Sequence, residues 1–171
     1  MFNRSKKAFT LVELMIVLAI IAIVAAFAIP NLMRSRMSAN ETGAIGSLRT
    51  LMSAQGTYMN RYNQYGSLEQ LAAEGLIDRS LSNGRKSGYL FGQVDDGTSM
   101  YSYCFGAIPV EDGRSGQKEF CVTQEGVIYE IDVDSSAVTP DVGTDWHDNP
   151  VIPDVFTENP GDNPLWTPIS E

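Results

Sequence analysis

The chain has 171 residues, 43% of them hydrophobic, and a formal charge of −9 at pH 7. That length holds one ordinary domain with an appendage and is short for two full domains. Arg4, Lys6 and Lys7 stand near the start, while Asp132–Glu171 contains nine acidic residues and neither Lys nor Arg, which argues against a nucleic-acid or anionic-lipid surface.

The first element is the stretch KKAFTLVELMIVLAII, Lys6 to Ile21. From Leu14 to Met33 twenty residues carry no charge. As a helix rising about 1.5 Å per residue they would span roughly 30 Å, the thickness of a bilayer core, so a single transmembrane helix is predicted. A secretory signal peptide places its small residues beyond a shorter apolar run. Here Ala8 directly follows Lys6 and Lys7 and precedes the run, so a cut after it removes residues 1–8 and leaves the helix in place. Within the helix Glu13 is costly, at about 2.5–3.5 kcal/mol on insertion scales, and no cation lies three or four residues beyond it. Cleavage between Ala8 and Phe9 would create an ammonium group four residues before Glu13, with the same group on neighbouring copies. Two readings stand: a carboxylate paired with such an ammonium, or one that snorkels to the headgroups.

The string KKAFTLVELMIVLAIIAIVAAFAIPNLMRSR resembles the amino terminus of type IV pilins and of the pseudopilins of type II secretion. The resemblance rests on the basic leader, the small residue, Phe-Thr-Leu-x-Glu, the charge-free run and Pro30. It is close over roughly residues 1–50 and loose beyond. It implies that Ala8 and Phe9 are the processing pair, cut by a membrane aspartic peptidase that also methylates the new amino group. It further implies that Glu13 pairs with the amino terminus of an adjacent subunit during assembly. The chain would start as a single-pass precursor in a bacterial inner membrane and be recruited by an inner-membrane assembly platform into a helical homopolymer, at the cell surface or in the periplasm. The family usually has glycine where this chain has Ala8, a small residue in the same place.

Pro30 lacks an amide hydrogen and costs about 3 kcal/mol in a helix interior, so a kink or loosening is expected just before it. In the resembling pilins this region can unwind on filament packing, which would give Pro30 a mechanical role. Beyond it, Leu48, Leu51, Met52, Gln55, Met59 and Tyr62 recur at spacings of three and four and predict the buried stripe of a continuing amphipathic helix. Ala39, Gly43 and Gly46 predict a narrow face that another helix could approach, at about 1 kcal/mol per glycine relative to alanine.

SLEQLAAEG then predicts a short helix capped by Ser67 and Gln70 and ended by Gly75. GYLFGQV, SMYSYCFGAIPV, KEFCVTQ and VIYEIDV predict four strands separated by Asp-, Gly- and Ser-rich turns. Cys104 and Cys121, with sixteen residues between them on two of these strands, are too few for a four-ligand zinc site. A disulfide in an oxidising compartment is the simpler reading, and two buried thiols the alternative. From Val133 on, six prolines predict a long irregular tail in which Trp146, Phe156 and Trp166 pin the loop or contact another subunit.

The expected fold is therefore α+β: a long amino-terminal helix, half in the membrane and half amphipathic, packed on a four-stranded antiparallel meander. In order, residues 1–8 are leader, 9–33 the membrane and assembly helix, 34–65 its amphipathic half, 66–132 the head and 133–171 the acidic tail. No catalytic constellation is evident: the one histidine, His147, sits in WHDN in the irregular tail, and no hydrolase signature surrounds a serine. No cofactor is expected. Asp132, Asp134, Asp141 and Asp145 could offer oxygens to calcium, as a late loop does in related pseudopilins, but without the EF-hand spacing. The leading expectation is a pilin subunit, with a secretion pseudopilin as its alternative. A membrane-anchored periplasmic binding module is the third reading, which an uncut leader would favour.

Overall fold

A computed structural model describes residues 9–94, 102–132 and 167–169. The chain divides into two compact units, with the boundary between Arg36 and Met37.

The first unit is the opening part of helix α1, which runs Leu11–Tyr62. Its side chains find no core: Leu18 is 57% exposed and Phe27 72%. Helix α1 continues through Pro30 without interruption, where a loosening was expected. The proline removes one donor, and the turns on either side remain helical.

In the second unit α1 supplies one wall of the core. Ala44, Leu48, Leu51, Ala54, Gln55 and Tyr58 are buried. Leu48, Leu51 and Gln55 are shared with the predicted stripe, which ended on Met59 and Tyr62; Tyr62 is 47% exposed and lies over Tyr58, ring centroids 4.5 Å apart. After α1 come α2 (Leu68–Ala73) and α3 (Arg79–Ser82). Ser67 and Gln70 form the reciprocal cap of α2, and Gly75 takes φ +68° at its end, as expected. Asp78 caps α3 by accepting from the Leu81 amide at 2.9 Å, an element that DRSLSNG could have announced.

The sheet has six strands in sequential order, all neighbours antiparallel: β1 (Arg85–Lys86), β2 (Tyr89–Val94), β3 (Cys104–Pro109), β4 (Lys118–Thr123), β5 (Ile128–Asp132) and β6 (Thr167–Pro168). The four-stranded expectation is thus corrected. β2–β5 are the predicted meander, and two-residue strands are added at both edges. Short edge strands leave little template for unwanted pairing.

Alternation divides the sheet into two faces. Phe91, Phe105, Phe120, Val122 and Ile128 join Leu48, Leu51 and Tyr58 in the main core. On the other face Ile108, Cys121, Tyr129 and Ile131 form a second cluster, with Leu90, Cys104 and Val127 partly buried against it.

Glu119, the neighbour of Cys121 at i−2 on β4, is 8% exposed. Burial, and then the charge of Asp112, push its carboxyl up to about 7. The folded head therefore keeps a proton that an unfolded glutamate, near 4.5, has released. This contribution is complete below about pH 4.5 and lost as pH rises to about 7, at about 1.4 kcal/mol for each pH unit crossed between those two values. Thermal unfolding of the full-length chain in detergent should show stability falling between pH 5 and pH 7, by up to about 3 kcal/mol relative to Glu119→Gln. Parallel profiles for the two proteins would refute it.

Candidate assembly site

The local sequence around the first turn of α1 is Phe9-Thr10-Leu11-Val12-Glu13. Thr10 takes the cap position, its carbonyl accepting from the Leu14 amide. The Glu13 amide donates to Thr10 Oγ1 at 3.2 Å, and Glu13 Oε2 accepts from the Thr10 amide at 2.9 Å and from its hydroxyl at 2.8 Å. This is a reciprocal capping box, in which two amides that the helix cannot satisfy find side-chain partners. The Thr-x-x-Glu spacing is visible in the sequence, yet Glu13 read from its charge alone looks unpartnered. Glu13 is thus already held within its own chain, and Phe9 beside it is 84% exposed. Ala8 lies outside the described residues.

From Leu11 to Met33 the large apolar side chains are exposed by 40% or more, and the segment is long and apolar enough to cross a membrane. A carboxylate at its leading edge, fixed in rotamer by Thr10, can be presented to a cation at the level of Phe9. Pro30 sits toward the other end of this surface, on the same helix.

The head grips α1 just beyond the unit boundary. Asn40 Nδ2 donates to the Ser115 carbonyl at 2.8 Å, and Glu41 Oε1 accepts from the Gln117 amide at 2.9 Å. A Cβ on Gly43 would lie 3.0 Å from the Ser87 side chain. Of the expected small-residue face, Gly43 thus serves packing inside the subunit. Gly46 has nothing within 4 Å of where its Cβ would be, and Ala39 is exposed. Nearer the end of α1, Gln55 closes a two-way bond with Gly66, the Gly66 amide donating to Oε1 at 2.9 Å while Nε2 donates to the Gly66 carbonyl. Arg61 and Tyr62 both reach Glu74, at 2.9 Å and 2.7 Å.

Cys104 and Cys121 come together on the second face of the sheet as two thiols. A hydrogen bond to Cys104, and then burial, push the Cys121 thiol up. Asp132, the first calcium candidate, ends β5 and is exposed, opposite Lys118. Asp134, Asp141 and Asp145, like Trp146, His147, Phe156 and Trp166, lie outside the described residues. Among the described residues no group of three or more His, Cys, Asp and Glu side chains could hold a metal ion.

The prokaryotic N-terminal methylation motif matches residues 3–29. The chain is 47% identical over 64 residues to the type IV wide pilus major component PilA4 of Thermus thermophilus, a match covering 37% of this chain and 49% of that protein. It is 41% identical over 64 residues to the type IV major pilin protein PilA of Myxococcus xanthus, covering 37% of this chain and 29% of that one. It is also 35% identical over 65 residues to the type II secretion system core protein G of Pectobacterium carotovorum, covering 38% of this chain and 42% of that one. The chain thus spans half or less of the length of each of these three relatives.

Proposed function

We propose that the chain is a member of the type IV pilin and pseudopilin family, a structural subunit that polymerises through α1 into a type IV pilus or pilus-like filament. The observation that carries this reading is the exposed apolar surface of α1 with Glu13 fixed at its leading edge beside Phe9. In the precursor that surface lies in the membrane as a single span. In the filament the same surface would pack against copies of itself. A pseudopilin role in protein export is the second reading, favoured by the likeness to core protein G.

Removal of residues 1–8 by a prepilin peptidase leaves Phe9 as the amino terminus, and methylation keeps its amine cationic. The partners are then further copies of this chain, the peptidase and an inner-membrane platform. Mass spectrometry of the chain from sheared filament material should give a mature start at Phe9 carrying one added methyl group. Assembled material that retains Met1–Ala8 would overturn the reading. Filaments recovered outside the cell favour the pilus, and material confined to the periplasm favours the pseudopilin.

A further inference from the structure

The second face of the sheet carries an arrangement that assembly through α1 does not use. Cys104 stands directly opposite Thr123 across β3 and β4, and Cys121 directly opposite Gly106. Side chains two apart on a strand share a face, so Cys104, Cys121 and Thr123 all lie on the face away from α1. Gly106 has no side chain, so Cys121 meets Cys104 on the diagonal, and the two thiols are hydrogen-bonded to each other. The two differ in access, since Cys121 is fully buried and Cys104 is partly exposed. Thr123 is 5% exposed, and its hydroxyl is a buried polar side-chain atom without a hydrogen-bond partner among the described residues.

We propose that Cys104 and Cys121 are an ordered thiol–disulfide pair, in which Cys104 is the thiol that exchanges with an external disulfide, Cys121 resolves it, and Thr123 positions the attacking sulfur. A Cys104 thiolate attacks one sulfur of an oxidised dithiol oxidoreductase or a small disulfide. The external S–S bond breaks, one thiolate leaves, and a mixed disulfide forms on Cys104. Cys121 then loses its proton and attacks the Cys104 sulfur, forming the intramolecular bond and expelling the second external thiolate. Two protein thiols lose two electrons and two protons, and the external disulfide is reduced to two thiols. The hydroxyl of Thr123, directly across from Cys104, gains in the thiolate the acceptor it otherwise lacks. Burial and the bond to Cys104 disfavour the charged form of Cys121, which keeps it from attacking first. The finished bridge ties β3 to β4, the two strands whose connecting loop holds Asn40 and Glu41 of α1.

The test uses the full-length chain, purified reduced in detergent, with dithionitrobenzoate as the disulfide. Wild type should release two equivalents of thionitrobenzoate and retain none, because Cys121 expels the second. Cys121→Ser should release one and retain one, and Cys104→Ser should react at least tenfold more slowly than Cys121→Ser. Wild type that retains two bound groups, or equal rates for the two variants, would overturn the order. Thr123→Val should slow the first step several-fold while reaching the same bridged end point. An unchanged rate removes the threonine from the proposal. Wild type also decides without any variant: sub-stoichiometric iodoacetamide should label Cys104 at least tenfold over Cys121, and equal labelling refutes the assignment. In protein taken from the cell envelope, non-reducing peptide mapping should find the bridge, with free thiols throughout as the contrary result. Bridged protein should melt roughly 10 °C above reduced.

Discussion

Glu13→Gln and Glu13→Ala should both lower filament yield at least tenfold in a strain whose only copy carries the substitution, while membrane-inserted subunit stays at its normal level. The capping box separates the two roles this carboxylate has. Glutamine at the third helical position can still accept from the Thr10 amide, so Glu13→Gln keeps the cap and loses only the charge. Alanine loses both, at about 1 kcal/mol for the cap. If the charge is what assembly needs, the two variants fail alike. Thr10→Ala, which keeps the charge and the backbone-amide bond to it but removes the hydroxyl bond, should reduce yield less than either. A buried ion pair repays little net stability once desolvation is counted, so its effect is on which register a subunit accepts. Insertion should not suffer, because a charge costing about 2.5–3.5 kcal/mol in the bilayer has gone. Normal filaments from Glu13→Gln would show that the pairing with a neighbour's Phe9 is not required.

The largest stability loss in the head is expected from a change of one carbon, Gly116→Ala. The added Cβ would overlap the Tyr89 hydroxyl and lie 2.7 Å from its Cζ. Tyr89 cannot step aside: it is fully buried, its ring is 5.9 Å from that of Phe120, and its hydroxyl donates to the Lys118 carbonyl at 2.8 Å. Gly116 also lies between Ser115 and Gln117, whose backbone groups hold Asn40 and Glu41. Relief by moving the loop therefore breaks the grip on α1. A loss of roughly 3 kcal/mol is expected, at the upper end of overpacking changes. Gly46→Ala is the comparison, since it meets nothing within 4 Å and replaces a mid-helix glycine. It should stabilise the head by up to about 1 kcal/mol. Thermal unfolding of the full-length variants in detergent checks both, and a Gly116→Ala protein within about 1 kcal/mol of wild type would refute the account. If Gly46→Ala melts higher but assembles poorly, the bare helix surface at Gly46 is a contact between subunits.

How much of this is legible in the sequence depends on the range of the interaction concerned. The four central strands announce themselves because aromatic and branched residues alternate between turns, a pattern local to each strand. The α2 cap is legible for the same reason, Ser67 and Gln70 being three residues apart. The box at Thr10 and Glu13 has equal spacing, but a carboxylate in an apolar run signals charge before it signals hydrogen bonding. Tyr58 and Tyr62 lie one turn apart on α1, and only the position of the sheet decides which is covered. β1 and β6 are two residues each, too short to carry a periodic signal, and β6 depends on a partner that precedes it by 37 residues at Glu130 and Thr167. Nor could sequence disclose that Gly43 faces Ser87 or that Gly116 faces Tyr89, because both requirements come from distant segments.

The ties between α1 and the head have a consequence for a filament under tension. They are spread along the helix, at Asn40 and Glu41, at Gln55, and at Arg61 and Tyr62, so a pull along its axis shears them side by side. Bonds loaded in parallel share a force that would open them one at a time if it peeled the helix away. The two groups of backbone-anchored ties, at residues 40–41 and 55, hold loops instead of long side chains and stretch least before bearing load.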